Sequence, residues 1–264
     1  MRKQQRFART CTVMFCMGLL LLSLLSGCGS RPDPAGTGAS SSIAEMSLPA
    51  LPTFSEEEKA RSVGTLTMLG RASVKIAMND GRTIYIDPYA GAKADYADPA
   101  DLVLVTHQDY DHNKVSLVTL RDGGEIIQCP KDIQAGMSKE SHGMSIQAVE
   151  AYNDNHKQGE GCGYVMNLDG FILYHTGDTS MTDEMADLKA FSIDYALLCA
   201  DGYYNMGPDE AMKVAATIEP RYVLPMHTHK SKDFDETNLL AFTLDNLMAL
   251  KPGDQVLLVP GEKE

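Results

Sequence analysis

The feature that most constrains this chain is the run Leu102-Val103-Leu104-Val105-Thr106, which stops abruptly at His107-Gln108-Asp109-Tyr110-Asp111-His112. An unbroken apolar run of this length suits a strand covered on both faces, because a half-wet strand alternates. Such a strand delivers the next residues of the chain to the edge of a buried sheet. Here those residues, 107–112, are dense in nitrogen and oxygen donors. Alternate residues of an extended loop point the same way, so His107 and Asp109 can share one ion while Asp111 and His112 diverge towards a second. Imidazole with carboxylate suits zinc, iron or manganese. Taken alone, the run is also compatible with a solvated polar loop.

The rest of the pattern is one of many short strands. Val63–Leu69, Ser73–Met78, Thr83–Ile86, Ile126–Cys129, Ile146–Tyr152, Tyr164–Asn167, Phe171–His175, Tyr195–Cys199, Tyr222–Met226 and Gln255–Val259 read as strands. Asn79-Asp80-Gly81 and Leu168-Asp169-Gly170 mark hairpin turns. Asp209–Ile218, begun near Gly207-Pro208, and Glu236–Leu250 have the apolar stripe of helices. Two packed sheets covered by helices, an α/β or α+β arrangement, accommodate this order.

Three further places repeat the design of a strand running into ligand-type residues. His156 follows Tyr152-Asn153-Asp154-Asn155, and by itself reads as part of a solvated loop. Thr176-Gly177-Asp178-Thr179 follows Phe171–Tyr174, where glycine permits a sharp turn and a carboxylate can bridge two ions. His227-Thr228-His229 follows Tyr222–Met226, with His229 the weaker candidate because alternation turns it outward. His142 sits in a Ser/Gly loop without a partner, and His175 suits a structural role. Cys129, Cys162 and Cys199 are too widely spaced for a CxxC metal site and read as small packing residues.

Ahead of this lies a segment of another kind. Arg2, Lys3, Arg6 and Arg9 precede the apolar run Val13 to Leu25, which is short for a membrane-spanning helix and has the order of a secretory signal. Residues 29–61 are rich in Gly, Ser and Pro and read as a flexible tether, ahead of a folded domain over 62–264. The first 27 residues carry four cations and no acid, so the −13 of the whole chain becomes −17 for the remainder. That balance disfavours a nucleic-acid partner, whose binding depends on Lys and Arg.

Leu25-Ser26-Gly27-Cys28 resembles the lipobox of bacterial lipoproteins, which implies cleavage before Cys28 and a lipid on its thiol. The expected location is the cell envelope, facing outside the cytoplasm, with the membrane reached through that lipid. The four ligand-bearing places, in order, resemble the metallo-β-lactamase superfamily signature H-x-H-x-D-H, then His, Asp and His. The branch they are most similar to is that of L-ascorbate-6-phosphate lactonase. Supporting stretches are Leu69-Gly70-Arg71-Ala72-Ser73-Val74-Lys75-Ile76, Ile84-Tyr85-Ile86-Asp87-Pro88-Tyr89, His175-Thr176-Gly177-Asp178-Thr179 and Pro225-Met226-His227.

The resemblance implies a four-layer αββα sandwich with two divalent metals, zinc foremost and manganese or iron as alternatives. His107, Asp109 and His156 would hold one ion, and Asp111, His112 and His227 the other, with Asp178 bridging. Two close cations lower the pKa of a bridging water and supply hydroxide near neutral pH. Asp111 is the residue the family suggests for orienting that nucleophile and shuttling a proton. The implied function is hydrolysis of a small ester, lactone, amide or phosphoester. The pattern departs from the family at Asp109, where the family carries histidine, and at Arg71, where relatives often carry histidine. A metal-binding or structural module that has lost efficient catalysis through Asp109 is the alternative.

Overall fold

A computed structural model of the chain describes residues 47–262. The signal segment and Cys28 lie outside the described residues. Among these residues, twelve strands form two six-stranded sheets. The first sheet contains β1 (Gly64–Gly70), β2 (Ser73–Met78), β3 (Thr83–Ile86), β4 (Ala100–Val105), β5 (Leu120–Gln128) and β12 (Gln255–Leu258), in the order β12-β1-β2-β3-β4-β5. The second contains β6 (Ser138–Ser141), β7 (Met144–Ala151), β8 (Gly161–Leu168), β9 (Phe171–His175), β10 (Tyr195–Cys199) and β11 (Tyr222–Met226), in the order β11-β10-β9-β8-β7-β6. Both sheets are mixed. β3, β4 and β5 are parallel, as are β9, β10 and β11, and the remaining pairs are antiparallel.

The apolar run of β4 has the physical cause expected of it. Leu102 and Leu104 face the core between the sheets, while Val103 and Val105 face outward into a second cluster with Tyr85 and Tyr96. Short 3-10 turns at Lys93–Tyr96 and Val115–Leu117 cover that outer face. On the second sheet, helix α2 (Pro208–Ile218) buries Ala211, Val214, Ala215 and Ile218. That is one helical face, and Pro208 at the first turn starts it where no backbone donor is needed. The sandwich therefore has both sheets, with its helical layers reduced to α2, two shorter α-helices and 3-10 turns.

The structure corrects three expectations. The apolar stripe over 236–250 is not one helix: α3 spans only Glu236–Leu239. Beyond it the chain lies beside β11, with Val223 N–H donating to Asn246 O (3.0 Å) and Met248 N–H to Val223 O (2.8 Å). An edge strand with free backbone groups outcompetes helix propensity here. Strand β6 is absent from the sequence pattern, because Ser-Lys-Glu-Ser carries no apolar alternation and is held by antiparallel pairing with β7 and by the Ser141 hydroxyl donating to Glu125 Oε1. Thirdly, the tether does not reach residue 61. Leu48, Leu51 and Phe54 pack on the core, and α1 (Glu56–Arg61) begins with a reciprocal Ser55–Glu58 capping box.

Candidate metal centre

Strand direction explains why distant residues meet. β1, β3, β4, β7, β9, β10 and β11 all run the same way within their sheets, so the loops that leave them emerge at one edge. Those loops carry Arg71, Asp87, His107–His112, His156, Asp178, Asp201 and His227. Open α/β sheets place their sites at the carboxyl ends of parallel strands for the same reason. The two sheets close tightly there. Cys162 N–H donates to Thr106 O (3.0 Å), and Gly177, at φ +63°, leaves room for a Cβ only 3.0 Å from Thr106 Cβ and from Cys162 O. Glycine at 177 thus serves the approach of the two strand ends.

The structure brings all seven sequence-derived ligand candidates together. Three overlapping groups place their ligand atoms within 4.8 Å of one another: His107 with Asp109 and His156, His107 with His112 and Asp178, and Asp111 with His112 and His227. Asp178 lies between them, with Oδ1 3.3 Å from His112 Nε2 and Oδ2 3.5 Å from His227 Nε2. The rings of His107 and His112 are 4.1 Å apart, and those of His107 and His156 4.9 Å. Asp109 is the most exposed member, its Oδ2 3.3 Å from His156 Nε2 and 3.9 Å from His107 Nε2.

Burial and hydrogen bonding test whether cations fit. Nε2 of His107, His112 and His227 and Oδ1 of Asp178 are buried and have no hydrogen-bond partner. Native proteins rarely leave such atoms unmatched. Four of them facing one another in the same small volume form a donor set suited to divalent ions. The opposite ring nitrogens of two of these histidines are held from behind. His112 Nδ1 is 2.7 Å from Asp87 Oδ2, and Asp87 also accepts from Thr106 N–H (2.8 Å) and Thr106 Oγ1 (2.7 Å). His227 Nδ1 lies 3.0 Å from Asp201 Oδ2, off the line of a straight hydrogen bond. Carboxylates in these places present each Nε2 to the site.

The electrostatics arise from this packing. Burial opposes charge on His227, but Asp178, Asp111 and Asp201 outweigh it and raise its pKa to about 9. Burial likewise opposes charge on His112, yet Asp178 and Asp87 hold its pKa well above the usual value. His107 goes the other way, to about 4, through burial and repulsion from His112. Burial alone would raise the pKa of Asp111, but His227, His112 and Arg71 hold it below the usual carboxylate range.

Arg71 is part of the site rather than a neutral departure from pattern. It is buried, at φ +52°. Its Nε and Nη2 lie 2.6 and 2.5 Å from Asp111 Oδ2, while Nη1 donates to the carbonyls of His229 and Lys232 and Nη2 to that of Lys230. The guanidinium therefore ties Asp111 to the loop that follows β11. His229 accepts from the backbone of Ser231 and Lys232 and shapes that loop. His175 is buried with Nε2 2.9 Å from Ala72 O. Cys129, Cys162 and Cys199 are free and buried.

Sequence reasoning missed the roles of Asp87 and Asp201. Asp87 lies in the stretch Ile84–Tyr89, and its place directly after a strand parallel to β4 was the available signal. Asp201 accepts from the N–H groups of Tyr203 and Tyr204 (both 2.7 Å) and from Asn205 Nδ2 (2.8 Å), organising a turn that no periodicity announces. Above the ligand cluster is an opening of about 240 Å³ whose walls include Arg71, Tyr110, Asn155, Tyr204 and Lys230.

Comparison with known proteins agrees with this geometry. Residues 65–227 match the family described as Beta-lactamase superfamily domain. The UPF0173 metal-dependent hydrolase of Thermococcus kodakarensis is 31% identical over 221 residues, covering 72% of this chain and 97% of that protein. Its counterpart in Pyrococcus furiosus is 30% identical over 226 residues, covering 73% and 99%. The metallo hydrolase Igni18 of Ignicoccus hospitalis aligns in structure with a TM-score of 0.58 at 23% identity, over 74% of this chain and 97% of that one, a likeness of fold.

Proposed function

Because the chain belongs to the metallo-β-lactamase superfamily, within its family of UPF0173 metal-dependent hydrolases, we propose that it hydrolyses a small ester, lactone, amide or phosphoester with the aid of two divalent cations, zinc foremost. The observation that carries this reading is the set of four buried, closely spaced ligand atoms on His107, His112, Asp178 and His227 that have no hydrogen-bond partner. His107, Asp109 and His156 would hold one ion, Asp111, His112 and His227 the other, and Asp178 would serve both. Bound divalent cations supply the Lewis acidity that hydrolysis requires near neutral pH.

The chain's own residues do the rest. Asp87 and Asp201 hold His112 and His227 with Nε2 facing inward. His227, His112 and Arg71 together keep the Asp111 carboxylate ionised, and Arg71 fixes its direction, so Asp111 would orient the attacking water as an anion. The opening over the ligand cluster admits a compact substrate.

The test is metal analysis of the purified full chain after reconstitution, run beside a panel of ester, lactone and phosphodiester substrates. Two ions per chain and chelator-sensitive turnover are expected. Fewer than one ion per chain after reconstitution would sink the reading. In the same proposal the protein is lipid-anchored at Cys28 in the cell envelope. Fatty-acid labelling that persists in a Cys28→Ser variant contradicts that placement.

A further inference from the structure

The mouth of the site contains side chains that metal binding does not use. Six large apolar side chains stand exposed among the described residues, and Tyr110, Tyr203 and Tyr204 are three of them. Tyr110 and Tyr204 line the opening, and Tyr203 stacks edge-on against Tyr204 with ring centres 4.7 Å apart. Clustered exposed aromatic surface marks recognition, whereas scattered apolar residues do not.

This rim is built rather than loose. The Tyr110 ring rests edge-on against Tyr89 at 5.7 Å. The Tyr204 backbone is held at both ends: its N–H donates to Asp201 Oδ1 (2.7 Å) and its carbonyl accepts from Asn155 Nδ2 (2.8 Å).

Two cations line the opening, and they differ in availability. Arg71 spends its donors on Asp111 and on three loop carbonyls. Lys230 makes no ion pair among the described residues, and its Nζ lies 4.5 Å from the centre of the Tyr203 ring. The Lys230 ammonium lines the same opening as Asp109, Asp111 and Asp178 yet pairs with none of them, which leaves it available to a ligand anion. The opening has a volume of about 240 Å³. An opening of this size admits a small molecule directly over the ligand cluster.

We propose that the site takes a small anion carrying a planar group, with the charge paired to Lys230 and the flat part packed against Tyr110 and Tyr204. The assignment rests on the hydrolase reading for its location. A binding measurement separates the two, because it requires no turnover.

The probes are phenylphosphonate, methylphosphonate and benzyl alcohol, titrated by calorimetry into the zinc-loaded full chain. Phenylphosphonate is expected to bind best of the three. Lys230→Met should weaken both phosphonates about tenfold, the scale of one charge-assisted contact, and leave benzyl alcohol unchanged. Tyr204→Ala should weaken only the two ring-bearing probes, since the loop is held through the backbone of residue 204. Phosphonate affinity that is indifferent to Lys230→Met, or phenylphosphonate binding no better than methylphosphonate, overturns the proposal. Ester, lactone and phosphodiester turnover is followed in parallel. Lys230-dependent binding without any turnover removes the hydrolase reading and leaves the ligand class standing. Turnover of neutral esters with Lys230-independent phosphonate binding does the reverse.

Discussion

Replacing Asp87 by asparagine changes one atom in a fully buried group and should weaken metal binding at the candidate centre without unfolding the protein. Asp87 sits at φ +47°, a conformation asparagine tolerates well, so the backbone gives no reason to move. Its carboxylate accepts from Thr106 N–H, Thr106 Oγ1 and His112 Nδ1. In the variant the amide oxygen still serves Thr106 N–H, and the amide NH₂ then faces His112 Nδ1. The imidazole must turn a lone pair to that NH₂ and carry its proton on Nε2, the atom that faces the site. Ligation at Nε2 would force the proton back to Nδ1 against another donor. A buried donor left unmatched costs about 1–3 kcal/mol, and each 1.4 kcal/mol is a factor of ten. Zinc affinity should therefore fall roughly five- to 150-fold, in line with the effect of removing such supporting carboxylates in general. Competition with a chromophoric chelator measures the affinity, and circular dichroism of the metal-free variant reports whether it is folded. A folded Asp87→Asn protein that binds zinc as tightly as wild type would refute the tautomer argument.

The same site sets further expectations. In the metal-free protein His227, with its pKa raised to about 9, and His112, raised likewise, are both protonated at pH 7. Zinc binding should therefore release protons, seen in calorimetry as a heat that varies with buffer ionisation enthalpy, and affinity should climb with pH. The same shifts stabilise the metal-free fold below the unfolded histidine value of about 6.5, and that stability is lost as pH rises towards 9. A melting temperature that is flat or rising over this window contradicts the assignment. Arg71→Met leaves Asp111 buried without its partner and should cost about 3–5 kcal/mol, read as a lower melting temperature with faster amide exchange over 229–232. Asp109→His should raise zinc affinity while leaving stability within about 0.5 kcal/mol, because Asp109 is exposed. Unchanged metal loading with activity already present identifies the aspartate as a working ligand.

The sequence carried the fold where burial was two-sided. β4 announced itself because both of its faces pack, and the hairpin at Asp169-Gly170 because both residues take left-handed backbone, φ +54° and +95°. It failed where pairing, not side-chain burial, supplies the stability. β6 is polar and half-exposed, and the segment after α3 uses its apolar residues beside an edge strand instead of along a helix. For the site, the ligand candidates were legible because each comes after a strand and has the right donor atoms. Asp87 and Asp201 were not, because a carboxylate behind an imidazole leaves no local pattern. Arg71 stands out as a departure from pattern, but its ion pair with Asp111, forty positions away in sequence, depends on the course of the intervening strands. Lys230 and the tyrosine rim were equally silent, since exposed residues on separate loops share nothing in sequence.

Asp201 touches two things at once, the ring of His227 and the backbone of the turn that carries Tyr203 and Tyr204. A cation held by His227 and a molecule seated against the turn would both bear on this one carboxylate, and each would favour the orientation that serves the other. Linkage then requires reciprocity: whatever factor zinc adds to the affinity for a molecule in the mouth, that molecule adds to the affinity for zinc. Where metal is scarce, occupancy of the centre would then rise and fall with the supply of its substrate.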